Sequence, residues 1–223
     1  VFFYQALSKP KGFSIYDLNI RDIRQDVGGM DQDDDQIERG FLTGKLLIAM
    51  PFHEDPRFYQ SVIYICGHDD TGAMGLIVNK PLLTVEFADL LEQLGIEHTR
   101  KLVPNLPIYY GGPVEVGRGF VLHTLDYLSD SSVVIDGEFA LTATVDVLRA
   151  LSHNYGPLNS MMALGYVGWG TGQLEQEINN NEWLVLEATP DLVFNENYEG
   201  LWRAAMLSMG IDPSSITLDF GHA

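Results

Sequence analysis

A chain of 223 residues with 46% hydrophobic and 11% aromatic content is long enough to bury one sizeable core and short for two. Its 31 carboxylates against 13 Lys and Arg give a formal net charge of -18. This disfavours direct nucleic-acid binding, which depends on neutralising phosphates. No apolar run approaches the ~20 residues of a membrane-spanning helix, and the single cysteine, Cys66, allows no intramolecular disulfide. A soluble cytoplasmic protein is expected.

Residues 1–40 lack a sustained period, contain Gly28-Gly29 and carry an acidic run from Asp31 to Asp35, so a mobile extension is expected there. Met30 is an alternative start, no secretory pattern opens the chain, and 41–223 is expected to be one domain. Lys45–Met50 is a short apolar run closed by Pro51 and predicts a buried strand; Asp55-Pro56 suits a single helical turn. Ser61–Cys66 and Ala73–Val78 flank turn residues Asp69–Gly72 and predict a hairpin. Thr84 is positioned to cap a helix whose Phe87, Leu90, Leu91 and Leu94 share one face and which Gly95 ends.

Further strands are predicted at 107–110, 119–123, 132–135 and 139–141, and Thr144 is expected to cap a helix turning Val145, Leu148 and Leu151 inward. Ser160–Tyr166 suits a central strand, 173–179 a short helix, 183–186 a strand, and 198–209 a last helix ended by Gly210. Without regular βαβ alternation, this pattern predicts an α+β fold, a mixed sheet with helices packed on it.

Several segments carry chemistry. Cys66 and His68, two apart on an extended chain, are expected on one face, where a thiol beside an imidazole makes a nucleophile or a metal ligand; buried packing is the alternative for a lone strand cysteine. Asn79 and Lys80 follow a strand, where a lysine meets an anion or simply a solvated turn. Gly111 and Gly112 permit a tight turn or a close approach, with Arg118 and His123 the nearest reactive side chains. In 164–177, Gly165, Gly168, Gly170 and Gly172 are expected to lead from a strand into a helix around Trp169, with Gln173, Glu175 and Glu177 following. Trp169 is either an aromatic anchor or a core plug. Glu175 and Glu177, two apart on a helix, make a poor acid/base pair. No phosphate loop, dinucleotide fingerprint, catalytic triad order or zinc spacing is present, so neither a cofactor nor a metal is expected.

Taken in order, LLIAMP (46–51), DPRFYQSVIYICGHDDTGAMGLIVNKP (55–81), YGGPVEVGRGFVLHT (110–124) and ALGYVGWGTGQLEQEINNNEWL (163–184), with Gly221-His222-Ala223, resemble the bacterial YqgE/AlgH family. The resemblance implies a bent, bifurcated sheet forming a pseudo-barrel, a bacterial cytoplasmic setting, no established catalytic activity, and for some members a transcriptional-regulator label. The positions it carries over include Cys66, His68, Asn79, Lys80, Gly111, Gly112, His123, Trp169, Gln173, Glu175 and Glu177, which with Arg118 form the candidate binding surface. The expected function is a non-enzymatic binding or regulatory protein that contacts a protein or small ligand, with neither nucleic acid nor membrane as partner. The alternative is a hydrolase or ligand-activated enzyme using Cys66, His68, His123 and Glu175.

Overall fold

The computed structural model describes residues 41–99 and 105–216. The expectations for residues 1–40 and for Gly221-His222-Ala223 lie outside them. Nine strands, β1 (Lys45–Ala49), β2 (Val62–Asp69), β3 (Gly72–Ile77), β4 (Ile108–Tyr110), β5 (Val114–Thr124), β6 (Ser132–Val134), β7 (Phe139–Thr142), β8 (Ser160–Gly170) and β9 (Trp183–Glu187), form one curled sheet. Its order is β6-β7-β5-β8-β3-β2-β1-β9, antiparallel throughout except that β4 lies parallel beside β8. Among the described residues five helices pack around it: α1 (Phe87–Gln93), α2 (Val145–Ser152), α3 (Gln173–Asn179), α4 (Pro190–Val193) and α5 (Tyr198–Ser208). The result is a single α+β domain built on a curled antiparallel half-barrel.

The apolar run of β1 is covered on both faces, which is why it does not alternate with polar residues. Leu46 and Ile48 enter the main core beneath α5, whereas Leu47 and Ala49 enter a second core with Trp169, Leu174 and Trp183. A third core lies under α1 and α2, where Leu90, Leu91, Leu148 and Leu151 meet Val121 and Met162. Asp55 caps the single turn Pro56–Phe58 by accepting the Arg57 N–H at 2.9 Å. Gly95 and Gly210 take left-handed conformations just beyond α1 and α5, as the sequence predicts.

β8 is the strand on which the sheet divides. Its first half lies between β4 and β5, and its second half pairs with β3. The bend falls at Gly165 (φ +74°), where the chain crosses the Gly111-Gly112 corner so closely that a Cβ on Gly165 would stand 2.5 Å from the Gly112 carbonyl oxygen. These glycines therefore serve the crossing of two backbones.

Four local expectations are corrected. Thr84 does not cap α1, because the helix starts later and Glu86 holds the N-cap position. Thr144 stands at the N-cap of α2, but its hydroxyl pairs with Ser131 at 2.8 Å and makes no capping bond. The glycine-rich stretch is mostly strand: Gly165, Gly168 and Gly170 belong to β8, and Gly172 (φ +72°) alone leads into α3. Finally, Cys66 and His68 do not share a face, for the reason below.

Candidate functional site

The β2–β3 ladder pairs Ile65 with Gly75 but Gly67 with Met74, so Cys66 sits in a β-bulge. One extra residue shifts the two-residue alternation, and side chains beyond the bulge change faces. Cys66 consequently lies in the main core at 2% exposure, and burial pushes its thiol pKa up, away from a reactive thiolate. His68, paired with Ala73, points to the opposite face toward α3.

There His68 is held on both ring nitrogens. The Leu42 N–H donates to Nδ1 at 3.1 Å, so the proton resides on Nε2, which donates to Glu175 Oε1 at 2.9 Å. The Phe41 ring lies 5.1 Å away and helps bury the imidazole. Two residues along α3, Glu177 faces a different way. Its Oε2 accepts the indole N–H of Trp169 at 2.7 Å and of Trp183 at 2.8 Å, while Oε1 accepts from Gln173 at 2.8 Å. Trp169, only 5% exposed, is thus a core residue whose polar edge ties down the helix. α3 is barely two turns long and would not persist alone. Leu174 beneath it and these hydrogen bonds hold it on the ends of β2 and β8. Gln173 and Glu175 remain exposed beside the β2–β3 turn, where Thr171 donates to the Thr71 carbonyl at 3.0 Å.

The structure thus unites five predicted residues, His68, Trp169, Gln173, Glu175 and Glu177. It does not bring the others to them. Asn79 accepts the Val62 N–H and donates to the Gln60 carbonyl, both at 2.8 Å, pinning the 3-10 turn and its following residues to the end of β3. Lys80 donates to the Arg57 carbonyl at 2.7 Å, and burial lowers its pKa to about 8. Gly111 and Gly112 form the β8 crossing. Arg118 pairs with Glu115 at 3.0 Å and lies 5.3 Å from the Phe120 ring centroid. His123 is fully buried in β5, bonded to the Thr124 carbonyl and the Thr142 hydroxyl, and burial lowers its pKa. Of the four residues in the hydrolase alternative, then, only His68 and Glu175 meet.

Sequence spacing gives no sign of His53, Glu182 or Trp183 at this end of the sheet. His53, Glu177 and Glu182 place ligand atoms within 4.8 Å of one another, close enough for a cation. The proton positions oppose that use. The Asp55 N–H donates to His53 Nδ1 at 3.1 Å, so Nε2 of the neutral ring carries the proton and has no lone pair for a metal. That buried N–H faces Glu182 at 3.7 Å, beyond hydrogen-bond length.

A curled antiparallel half-barrel with a short helix clamped across the ends of β2 and β8 defines the class of protein. A family model described as AlgH-like (DUF179) matches residues 46–214, and the chain belongs to that family. Over 184 residues it is 50% identical to a UPF0301 protein of Jannaschia sp. (strain CCS1), covering 82% of this chain and 95% of the relative. A UPF0301 protein of Rhodospirillum rubrum is 46% identical over 188 residues, covering 84% and 97%. The solution structure of the AlgH protein from Pseudomonas aeruginosa superimposes with a TM-score of 0.68 at 38% identity, covering 87% of this chain and all of that one. Protein DIP2367 from Corynebacterium diphtheriae shares the fold, with a TM-score of 0.61 at 22% identity over 75% of this chain and 86% of that one. Among the described residues, no helix is long and apolar enough to cross a membrane.

Proposed function

We propose that this protein acts by binding a protein partner rather than by catalysis, and that the recognition surface is the outer face of α3 with the adjoining β2–β3 turn. The observation that carries this is the double clamp on α3, through His68–Glu175 and through Trp169, Trp183 and Gln173 on Glu177. It presents exposed polar groups in one rigid arrangement, the preorganisation that recognition needs. The buried Cys66 thiol, on the opposite face from His68, supports binding over nucleophilic chemistry. A regulatory role in the cytoplasm is compatible with this reading, and the net charge of -18 favours a basic protein surface over nucleic acid as partner.

The test is affinity capture from an extract of the source organism with the wild-type chain, Gln173→Ala and Glu175→Ala. A specific partner retained by the wild type and lost by both variants is expected, both remaining folded: Gln173→Ala within about 1 kcal/mol of wild type, and Glu175→Ala destabilised by about 1–3 kcal/mol because it orphans the buried His68 N–H. Equal capture by all three removes α3 from the interface. A submicromolar, salt-dependent complex with duplex DNA would overturn the assignment of partner class.

A further inference from the structure

At the opposite end of β8 a cleft of about 690 Å³ opens between β4, the loop after α2 and the α4–α5 connection. Its volume falls in the range of about 300–1,000 Å³ typical of ligand sites. The floor is apolar and rigid, formed by the buried Leu106, Leu151 and Met161. Around it stand Asn105, Asn159, Tyr109 and Tyr198, whose side chains make no hydrogen bond among the described residues. Asn195, which also lines the cleft, contrasts with them: it accepts the Asn197 N–H at 2.8 Å and donates to the Asp191 carbonyl at 3.3 Å. The backbone accounts for Asn154, which takes φ +59° where α2 ends. No such local need explains the uncommitted amides of Asn105 and Asn159.

We infer that this cleft binds an uncharged, extended peptide segment of another protein, with an apolar side chain on the floor and its main chain paired to Asn105 and Asn159. A primary amide presents a donor and an acceptor side by side, complementary to one edge of a peptide unit. The apolar floor favours a segment that carries an apolar side chain over a sugar, which has no comparable apolar group to fill it. Charge selects further. Among the described lining residues Glu196 is the one charged group, and it repels a phosphate or carboxylate ligand. Next to the cleft, Leu158 and Tyr155 are 86% and 81% exposed, providing apolar surface for a chain that crosses the rim. This site shares no residue with the α3 surface.

The probe is the blocked peptide acetyl-Gly-Ala-Leu-Ala-Gly-amide, titrated into the isotope-labelled full chain by NMR. Saturable shifts confined to the cleft are expected, weakened about tenfold or more in a variant carrying Asn105→Ala and Asn159→Ala. Weakening is also expected in Tyr198→Phe, with Glu138→Gln as an unaffected control. All four positions lie at least partly open to solvent, and an unchanged thermal midpoint confirms folding. The peptide with both Ala replaced by Asp, and glucose, are expected to leave the cleft unshifted. The inference is overturned by no saturable shift, by shifts mapping to α3, by variants that bind as the wild type does, or by equal binding of the acidic peptide or glucose.

Discussion

Glu177 is predicted to be the strongest polar determinant of the α3 end of the fold. Its Oε2 receives two indole N–H groups, from Trp169 at 5% exposure and Trp183 at 2%, and its Oε1 receives the exposed Gln173 amide. In Glu177→Ala, water readily replaces the bond to Gln173 but does not reach the two indoles. Each buried orphan donor costs about 1–3 kcal/mol, so the expected loss is about 2–5 kcal/mol, with non-additivity holding it below the sum of three charged hydrogen bonds. Glu177→Gln keeps an oxygen for both indoles but turns its NH2 toward that of Gln173, which cannot reverse without giving up the Gly170 N–H that its Oε1 accepts at 3.1 Å; about 1–2 kcal/mol is expected. Urea unfolding followed by tryptophan fluorescence measures both, and the Ala variant should melt some degrees lower, at about 2–4 °C per kcal/mol. An Ala variant within about 1 kcal/mol of wild type would refute the clamp. Equal losses in the two variants would show that charge, rather than hydrogen bonding, holds the helix.

Two further outcomes follow from the geometry. Gly165→Ala, whose Cβ would stand 2.5 Å and 2.9 Å from the Gly112 and Val114 carbonyl oxygens, is expected to cost about 3 kcal/mol or more, whereas Gly95→Ala, at φ +64° with nothing within 4 Å, should cost about 1 kcal/mol. Comparable losses in denaturant titrations would refute the crossing as the reason for Gly165. Lys80 has a folded pKa of about 8, below its ordinary 10.5, so the fold disfavours its charged form and stability should rise as pH climbs from about 8 to 10.5. Because partial exposure screens the effect, about 1 kcal/mol is expected. The quantity to measure is the wild-type profile minus that of Lys80→Met, since the raised pKa values of Cys66 and Tyr64 act in the opposite direction. A flat or falling difference across this window would sink the assignment.

Much of the fold was legible in the sequence because it rests on local signals. The unbroken apolar run of β1 announces a strand buried on both faces, the spacing of Phe87, Leu90 and Leu91 announces α1, and Gly95 and Gly210 announce helix ends. Family membership was also legible, since its motifs are short and contiguous. α4, only four residues long, escaped notice because one turn leaves no periodic trace.

What only the tertiary structure decided is which side chains meet. Extended spacing places Cys66 and His68 together, but pairing with β3 puts a bulge at Cys66, and a one-residue slip in a period of two moves a side chain to the other face. The glycines after Leu164 resemble a loop by composition, yet β3 supplies partners that keep them in a strand through Gly170. Glu177 finds its indoles eight residues before it and six after, across two strand ends, and the cleft gathers Asn105 and Asn159 from segments that share no motif. Helix starts, turns and apolar runs are set by neighbours along the chain, so sequence alone determines them. Register, bulges and the convergence of distant polar groups are set by which strand lies alongside, a choice made only when the whole sheet closes over its cores.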